Sequence, residues 1–259
     1  MPQRWLVGET PLLNVSAASR SFFGSGVRFT LLVDRIELPR GSQIAVVGPS
    51  GCGKSTLLGL LSLALRPDRV DSMMLDGVDA AALWRGGQSD ALTGLRSRSI
   101  GFVPQTAGLL PFLTLGENIA LQQQILRRPD PEFVQAVCDA LGIGRLLRKR
   151  PAEVSVGERQ RAAVARALAH RPPVLLADEP TASVHPAQAD EIIELMSNVA
   201  SELGAALVIT THDRDRAAAA GFDIAPCRPD ESAATTRFSW TPDSRDKAGA
   251  AGRDQDAPA

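Results

Sequence analysis

The chain has 259 residues, of which 44% are hydrophobic and 22% are charged, and its formal net charge at pH 7 is -1. This composition is typical of a soluble globular protein with a sizeable core. Because 28 Lys and Arg residues are balanced by 29 Asp and Glu residues, the net charge argues against a protein that functions mainly by binding along nucleic acid.

Cysteine usage and hydropathy exclude further classes. Cys52, Cys138 and Cys227 are odd in number and widely spaced, which suits a reducing compartment and indicates neither a disulfide framework nor a zinc site. The first residues lack a signal-peptide layout, and there is no apolar run of about 18 residues, the length a membrane-spanning helix needs. Any role at a membrane is therefore expected to need a partner.

In chain order, the first predicted elements are strands followed by a helix. Phe29, Leu31 and Val33 recur at every second position, which indicates a strand. The run Ile-Ala-Val-Val over 44–47 is typical of a strand that is buried on both faces. A glycine-rich turn and an apolar, helical segment over 55–65 follow. Strand, glycine turn and helix form the opening unit of an α/β fold.

Later segments extend this fold. Buried strands are predicted over 99–105, 173–180 and 205–213, and a block rich in Leu, Ala, Gln and Arg over about 116–170 is predicted to be helical. The sequence therefore predicts an α/β core interrupted by a helical insertion.

The domain organisation follows from these segments. We expect one domain over 1–227, with the α/β core at about 12–105 and 171–224 and the insertion at about 106–170. After Cys227 the chain is rich in Pro, Asp, Ser, Thr, Ala and Arg, and its large apolar groups are Phe238 and Trp240. This composition predicts a disordered polar tail over 228–259.

The segment GPSGCGKST fits the phosphate-binding pattern G-x-x-x-x-G-K-[ST]. Its glycines allow a nest of backbone N–H donors, Lys54 reaches the β- and γ-phosphates, and the Ser55 hydroxyl is a Mg²⁺ ligand. A glycine-rich turn with a surface lysine is the alternative, but the position between a buried strand and a helix disfavours it. The candidate nucleotide-binding residues are Gly48, Pro49, Ser50, Gly51, Cys52, Gly53, Lys54, Ser55 and Thr56.

A second acidic motif ends the predicted strand VLLADE over 174–179. Asp178 is placed to hold a metal ion, and Glu179 is placed to activate water as a general base. Acidic residues at strand ends often serve only as helix caps, so this pair gains its meaning from the phosphate-binding motif.

Three more features lie at strand ends or a helix start, where α/β sheets bind ligands. Gln105 ends the strand over 99–105 and His212 ends the strand over 205–213; either residue alone is more often a polar strand end with no special role. Ser155 and Glu158 form a capping-box pattern, and Gly157 lies inside that first turn. Such a helix N-terminus is a natural anion site.

Together these motifs resemble the nucleotide-binding subunit of an ABC transporter over about 12–224. The resemblance implies a P-loop NTPase core with an N-terminal antiparallel β subdomain and an inserted α-helical subdomain. It also implies that ATP and Mg²⁺ are bound, that Lys54, Gln105, Glu179 and His212 act in catalysis, and that Ser55, Gln105 and Asp178 hold the metal. Within the family, segments 95–121 and 150–161 are similar to the lipoprotein-release and macrolide-export group.

The resemblance also assigns roles across a dimer. Two cassettes are expected to pair head to tail, so that Ser155 and Gly157 of one chain face the γ-phosphate bound by the other. Gln105 is expected to contact Mg²⁺ and the attacking water, and His212 to contact the γ-phosphate and support Glu179. Phe22 is the candidate for stacking on adenine, with Phe23 as the alternative, and either ring is equally compatible with a place in the core.

Two segments depart from the usual family pattern. Val156 and Glu158 stand where Gly and Gln are common, and Glu158 brings a charge near the expected γ-phosphate unless it turns back to its cap. His185 stands where an Asp usually contacts the opposite subunit, and it is either a tolerated surface residue or a change in coupling between the two ATP sites.

The leading function hypothesis is an ATPase that powers a separate integral membrane permease, either an exporter or a lipoprotein-extracting transporter. It would be cytoplasmic and peripheral on the inner face of the membrane, and Leu109, Leu110 and Phe112 would receive the permease unless they only pack the insertion. A soluble ABC-type ATPase acting on nucleic acid or ribosomes is the alternative, but the single cassette and balanced charge disfavour it, and no nucleic-acid partner is expected. A P-loop kinase or GTPase would leave His212 and the Ser155 helix start without a purpose.

Overall fold

The computed structural model describes residues 11–24, 27–230 and 234–242. Two β-sheets and a set of helices account for most of these residues, and the two sheets differ in the direction in which their strands pair. One sheet is mostly antiparallel and gathers both ends of the described chain, and the other is wholly parallel and carries the site.

The first sheet has six strands in the order β10-β11-β2-β1-β4-β5. A long hairpin forms its centre, with Leu13 opposite Leu38 and Phe22 opposite Phe29. The strands are β1 (Leu13–Gly24), β2 (Val27–Leu38), β4 (Ser72–Leu75), β5 (Val78–Asp79), β10 (Arg228–Asp230) and β11 (Thr235–Trp240). This sheet is the N-terminal antiparallel subdomain that the sequence predicted.

The second sheet has five strands in the order β6-β7-β8-β3-β9, and all its pairs are parallel. Helices cover a sheet of this kind on both faces, so its central strands are almost continuously apolar. The strands are β3 (Gln43–Val47), β6 (Ile100–Val103), β7 (Val174–Asp178), β8 (Ala206–Thr211) and β9 (Asp223–Pro226). Strands β6, β7 and β8 lie within segments that the sequence predicted as strands, and β3 begins one residue before the predicted run over 44–47.

The helices are α1 (Lys54–Leu61), α2 (Ala80–Arg85), α3 (Ser89–Ser99), α4 (Leu115–Ile125), α5 (Pro131–Ala140), α6 (Val156–Leu168), α7 (Pro186–Glu202) and α8 (Arg214–Ala219). Helix α6 packs against both α4 and α5, so these three helices make the insertion. Its interior is built from small residues such as Ala162, Ala163 and Ala165, all fully buried, which let the helices approach one another. No helix within the described ranges is both long and apolar enough to cross a bilayer.

The predicted disordered tail is wrong for part of its length. Strand β11 pairs in parallel with β2, and its alternate residues Thr236, Phe238 and Trp240 are buried while Arg237 and Ser239 face outward. The polar composition hid this strand, because only every second residue needs to be apolar when one face is solvated. Residues 231–233 and 243–259, where the rest of that prediction falls, lie outside the described residues.

Candidate functional site

The phosphate-binding loop joins β3 to α1 at the carboxyl edge of the parallel sheet. Gly51 and Gly53 both have left-handed backbones, with φ of 80° and 97°. A Cβ on Gly53 would also lie 2.6 Å from Cζ of Phe29. Gly53 is therefore required both by its backbone conformation and by the aromatic ring that packs on it.

Lys54, the first residue of α1, is only 5% exposed. Its Nζ donates to the carbonyl oxygens of Gly48 at 2.9 Å and Pro49 at 3.0 Å, and it lies 3.3 Å from Oε1 of Glu179. A buried ammonium group needs compensating partners, and here the loop and the end of β7 supply them. The contact between Lys54 and Glu179 joins the phosphate-binding motif to the acidic motif, which the sequence predicted separately.

Asp178 and Glu179 end β7, and a buried hydroxyl on β8 holds them. Thr210 Oγ1 donates to Oδ1 of Asp178 at 2.7 Å and accepts the Glu179 backbone N–H at 2.9 Å. Glu179 itself has a left-handed backbone, with φ of 43°. The kink ends the strand and directs the Glu179 side chain toward Lys54.

Lys54 and Glu179 line one cleft at the sheet edge, whose lining does not include Asp178. Its lining consists of Phe29, Ser50, Gly51, Gly53, Lys54, Ser55, Thr56, Gln105 and Glu179. Gln105 follows β6 and is exposed, as the strand-end prediction expects. His212 follows β8 at the same edge, with an exposed side chain outside this lining. The structure thus brings together most of the predicted P-loop, Gln105 and Glu179, and leaves His212 at the margin.

The donor set at this edge fits a magnesium ion. The Ser55 hydroxyl, the Gln105 amide oxygen and the Asp178 carboxylate are hard oxygen ligands, the kind that Mg²⁺ prefers, with substrate phosphates and waters completing its shell. Across the described ranges, no three His, Cys, Asp or Glu side chains cluster so as to hold a metal by themselves. A site of this composition therefore depends on the hydroxyl, the amide and the bound substrate.

The start of α6 has the capping box that the sequence predicted. The Ser155 hydroxyl accepts the Glu158 N–H at 3.2 Å, and the Glu158 carboxylate accepts the Ser155 N–H at 2.8 Å. The hydrogen bond that the Ser155 N–H donates to the carboxylate is the largest cause of a lowered pKa of Glu158. The Glu158 charge is therefore directed back to its cap, and the open end of the helix presents exposed Ser155 and the 43% exposed Val156.

Gly157 is buried in the first turn of α6. A Cβ there would lie 3.0 Å from Oε1 of Gln188, so α7 already occupies the space beside this helix start. Neither Ser155 nor Gly157 lines the P-loop cleft of its own chain. The cleft within one chain therefore does not include the start of α6.

Two residues at the site, Phe29 and Thr210, were not identified from the sequence. Phe29 lines the cleft, whereas Phe22, directly opposite it in the hairpin, is 39% exposed and lies under the Arg20 guanidinium at 5.2 Å. Phe23 is 79% exposed. The alternation of Phe29 with Leu31 and Val33 indicated only a strand. Thr210 carried one signal, a hydroxyl residue within the apolar run that ends at His212.

Comparison with known proteins gives a consistent picture. The family model described as ABC transporter matches residues 34–182, a segment that contains the P-loop, Gln105, the start of α6, Asp178 and Glu179. The lipoprotein-releasing system ATP-binding protein LolD of Shewanella oneidensis is 37% identical over 212 residues, covering 80% of this chain and 90% of that protein. LolD of Pseudomonas fluorescens is 39% identical over 186 residues, covering 71% and 80%.

Solved structures agree on the fold. The ATP-binding cassette MJ0796, in a dimeric post-hydrolysis state bound to ADP and Pi, has a TM-score of 0.70 and 27% identity, covering 83% of this chain and 93% of that one. CbiO1 of Clostridium perfringens, part of the ABC transporter complex cbiONQ, has a TM-score of 0.71 and 26% identity, covering 88% and 87%.

Proposed function

The chain belongs to the ABC transporter family as an ATP-binding subunit, an ATPase, and we propose that it powers a separate integral membrane permease of the lipoprotein-releasing type. One observation carries the proposal for the site: Lys54 and Glu179 meet at 3.3 Å in a cleft that also holds Gln105 and the P-loop. The substrate class rests on the relatives, which are ATP-binding proteins of lipoprotein-releasing systems.

Binding of ATP uses groups that the loop already directs into the cleft. The phosphates of ATP replace the Gly48 and Pro49 carbonyl oxygens as the partners of Lys54. Its ammonium group then neutralises charge on the β- and γ-phosphates. The backbone N–H groups of residues 48–56 and the N-terminal end of α1 add further donors. Phe22 stacks on adenine, and Phe29 supports the loop through Gly53.

The same edge of the sheet carries the groups for hydrolysis. Glu179 accepts a proton from the attacking water, Gln105 orients that water, and His212 contacts the γ-phosphate and supports Glu179. Ser55, Gln105 and Asp178 would hold Mg²⁺, which supplies charge stabilisation for the phosphoryl group when bound. Lys54 adds positive charge from the protein itself.

A second copy of the chain completes each site. Ser155 and Gly157 lie at a capped helix N-terminus, whose backbone donors and partial positive charge suit a phosphate. Neither residue lines the P-loop cleft of its own chain, and a head-to-tail pair would place this helix start over the γ-phosphate of the partner. Glu158, engaged by Ser155, would not compete with that phosphate.

The membrane partner is expected at the loop before α4. Phe112 there is 68% exposed, and Leu109 and Leu110 are partly buried beside it. This apolar surface suits a short helix of a permease. The chain would then be peripheral on the cytoplasmic face of the membrane, through its partner.

The replacement Glu179→Gln tests the catalytic part of the proposal. We expect this variant to bind ATP, to lose nearly all turnover and to accumulate as a dimer in size-exclusion chromatography with ATP. Glu194→Gln, at an exposed position on α7, is the matched control and should keep wild-type turnover. Normal turnover by Glu179→Gln would remove Glu179 as the general base.

The permease part needs a separate experiment. A tagged chain should retain an integral membrane protein from detergent-solubilised membranes of its source, and Phe112→Asp should release that protein while ATP turnover without the partner stays unchanged. Retention by Phe112→Asp would contradict docking at this loop.

A further inference from the structure

Thr210 is a hydroxyl residue in the middle of the parallel sheet. It belongs to β8, which pairs with β7 on one side and β3 on the other, and its register partners are Asp178 and Val46. Its exposed fraction is 0%. A Val side chain has nearly the same shape, so packing alone does not require a hydroxyl here.

The hydroxyl forms two hydrogen bonds, and both go to the acidic motif. Oγ1 donates its proton to Oδ1 of Asp178 at 2.7 Å and accepts the N–H of Glu179 at 2.9 Å. One buried atom thus links two consecutive residues with different expected roles, a metal ligand and a general base. A buried polar group without such partners would be destabilising.

The second bond acts on a strained residue. Glu179 has φ of 43°, a left-handed conformation that is unfavourable for a residue with a Cβ and persists only where the surroundings fix it. Its N–H is fixed by Thr210, and its carboxylate is near the Lys54 ammonium group at 3.3 Å. The backbone of Glu179 is therefore held at one end and its side chain at the other.

We propose that Thr210 is a positioning residue for hydrolysis, which sets the orientation of the Asp178 carboxylate and the backbone of Glu179 through its hydroxyl. The inference rests on the proposed roles of Asp178 and Glu179. Thr210 is fully buried and lies outside the cleft lining. It acts through both residues, so its loss should impair turnover and Mg²⁺ affinity together, with little effect on the P-loop contacts that bind ATP.

The test compares Thr210→Val, which removes the hydroxyl and keeps the shape, with Thr210→Ser, which keeps the hydroxyl. For Thr210→Val we expect kcat to fall about 10–100-fold, the size of effect seen when an outer partner of a ligand is removed, with KM for ATP nearly unchanged. Thr210→Ser should keep kcat near the wild-type value. Thr236→Val, a buried threonine on β11 that is 1% exposed, is the matched control and should leave kcat unchanged.

A second readout does not depend on turnover. In the Glu179→Gln background, calorimetry with ATP present measures Mg²⁺ affinity, which Thr210→Val should weaken and Thr210→Ser should not. If Thr210→Val does not fold, Thr210→Ser is compared with Thr210→Ala, because this pair differs only in the hydroxyl, and Ser must retain the higher kcat and Mg²⁺ affinity.

The outcomes separate this inference from the proposed function. Wild-type kcat and Mg²⁺ affinity in Thr210→Val, or equal losses in Val and Ser variants, would overturn the inference while Glu179→Gln is still inactive. Normal turnover by Glu179→Gln would instead overturn the proposed general base, whatever Thr210→Val does.

Discussion

The Glu158 carboxylate turns back on the first turn of its own helix, where Oε2 accepts the Ser155 N–H at 2.8 Å. A second capping box in the same insertion has the same chemistry: Thr114 and Glu117 begin α4 in the same way. One of these helix starts is expected to face ATP on a partner chain, and the other is not. Comparing the two capping boxes therefore distinguishes a cap that only stabilises its helix from a cap that is also expected to bind a ligand.

The two caps give a matched comparison. Ser155→Ala and Thr114→Ala should each lower the free energy of unfolding by about 1 kcal/mol, the usual cost of losing an N-cap. Only Ser155→Ala should also reduce ATP turnover and ATP-dependent dimerisation. Urea denaturation and a steady-state ATPase assay measure the two effects. Equal losses of turnover in both variants would show that Ser155 acts only through the stability of its helix.

Phe22 and Phe29 are expected to affect different parts of the nucleotide. Phe22→Ala should weaken ATP binding by about 1–3 kcal/mol, the range for stacking on one base, and leave tripolyphosphate binding unchanged. Phe29→Ala removes the ring that packs on Gly53 and should weaken binding of both ligands, because the loop loses its support. Calorimetric titration with each ligand measures this difference. Loss of ATP binding alone in Phe29→Ala would make Phe29 the adenine partner.

His170 is expected to make stability depend on pH. Burial lowers the pKa of His170 to about 4, although Nε2 lies 3.2 Å from the Ile100 carbonyl oxygen. Between pH 6.5 and about 4 the unfolded chain binds a proton at His170 that the folded chain does not. The free energy of unfolding is therefore highest, as far as His170 is concerned, above pH 6.5, and it decreases as the pH falls through this range.

The variant His170→Gln tests this dependence. Across that window the wild-type free energy of unfolding should fall more than that of the variant, by up to about 3 kcal/mol at 1.36 kcal/mol per pKa unit. Above pH 7 the free energy of unfolding should change with pH at the same slope in the wild type and in the variant. Denaturant titrations at several pH values measure both slopes, and parallel curves below pH 6 would contradict the assignment.

Strand β11 is expected to contribute to the stability of the domain. Trp240 is 3% exposed, and Trp240→Ala should lower the free energy of unfolding by about 3–5 kcal/mol, the usual range for a buried aromatic residue. Arg237 on the same strand makes an exposed ion pair with Asp34 at 2.6 Å, and Arg237→Ala should change stability by less than about 1 kcal/mol. Thermal and urea unfolding compare the two. A small effect of Trp240→Ala would indicate that the domain ends before this strand.

Features whose chemistry depends on short spacing could be predicted from the order of residues alone. The P-loop needs glycines, Lys54 and Ser55 at fixed positions within one turn, and the cap of α6 needs Ser155 three residues before Glu158. Buried parallel strands are continuous apolar runs, so β3, β7 and β8 were also predictable, and with them the place of Asp178 and Glu179 at a sheet edge.

Contacts between residues that are distant in the chain could not be predicted in this way, because they depend on how the strands and sheets are arranged. Thr210 reaches Asp178 because β7 and β8 are neighbours, Phe29 reaches Gly53 because the antiparallel sheet packs beside the loop, and β11 becomes a strand because β2 offers it a free edge. Hydrogen bonding and burial between strands depend on sheet order and register, which no local pattern of residues specifies. The physical reason is that a polar residue or a polar segment gains its structural role from the partner that satisfies it, and that partner lies elsewhere in the chain.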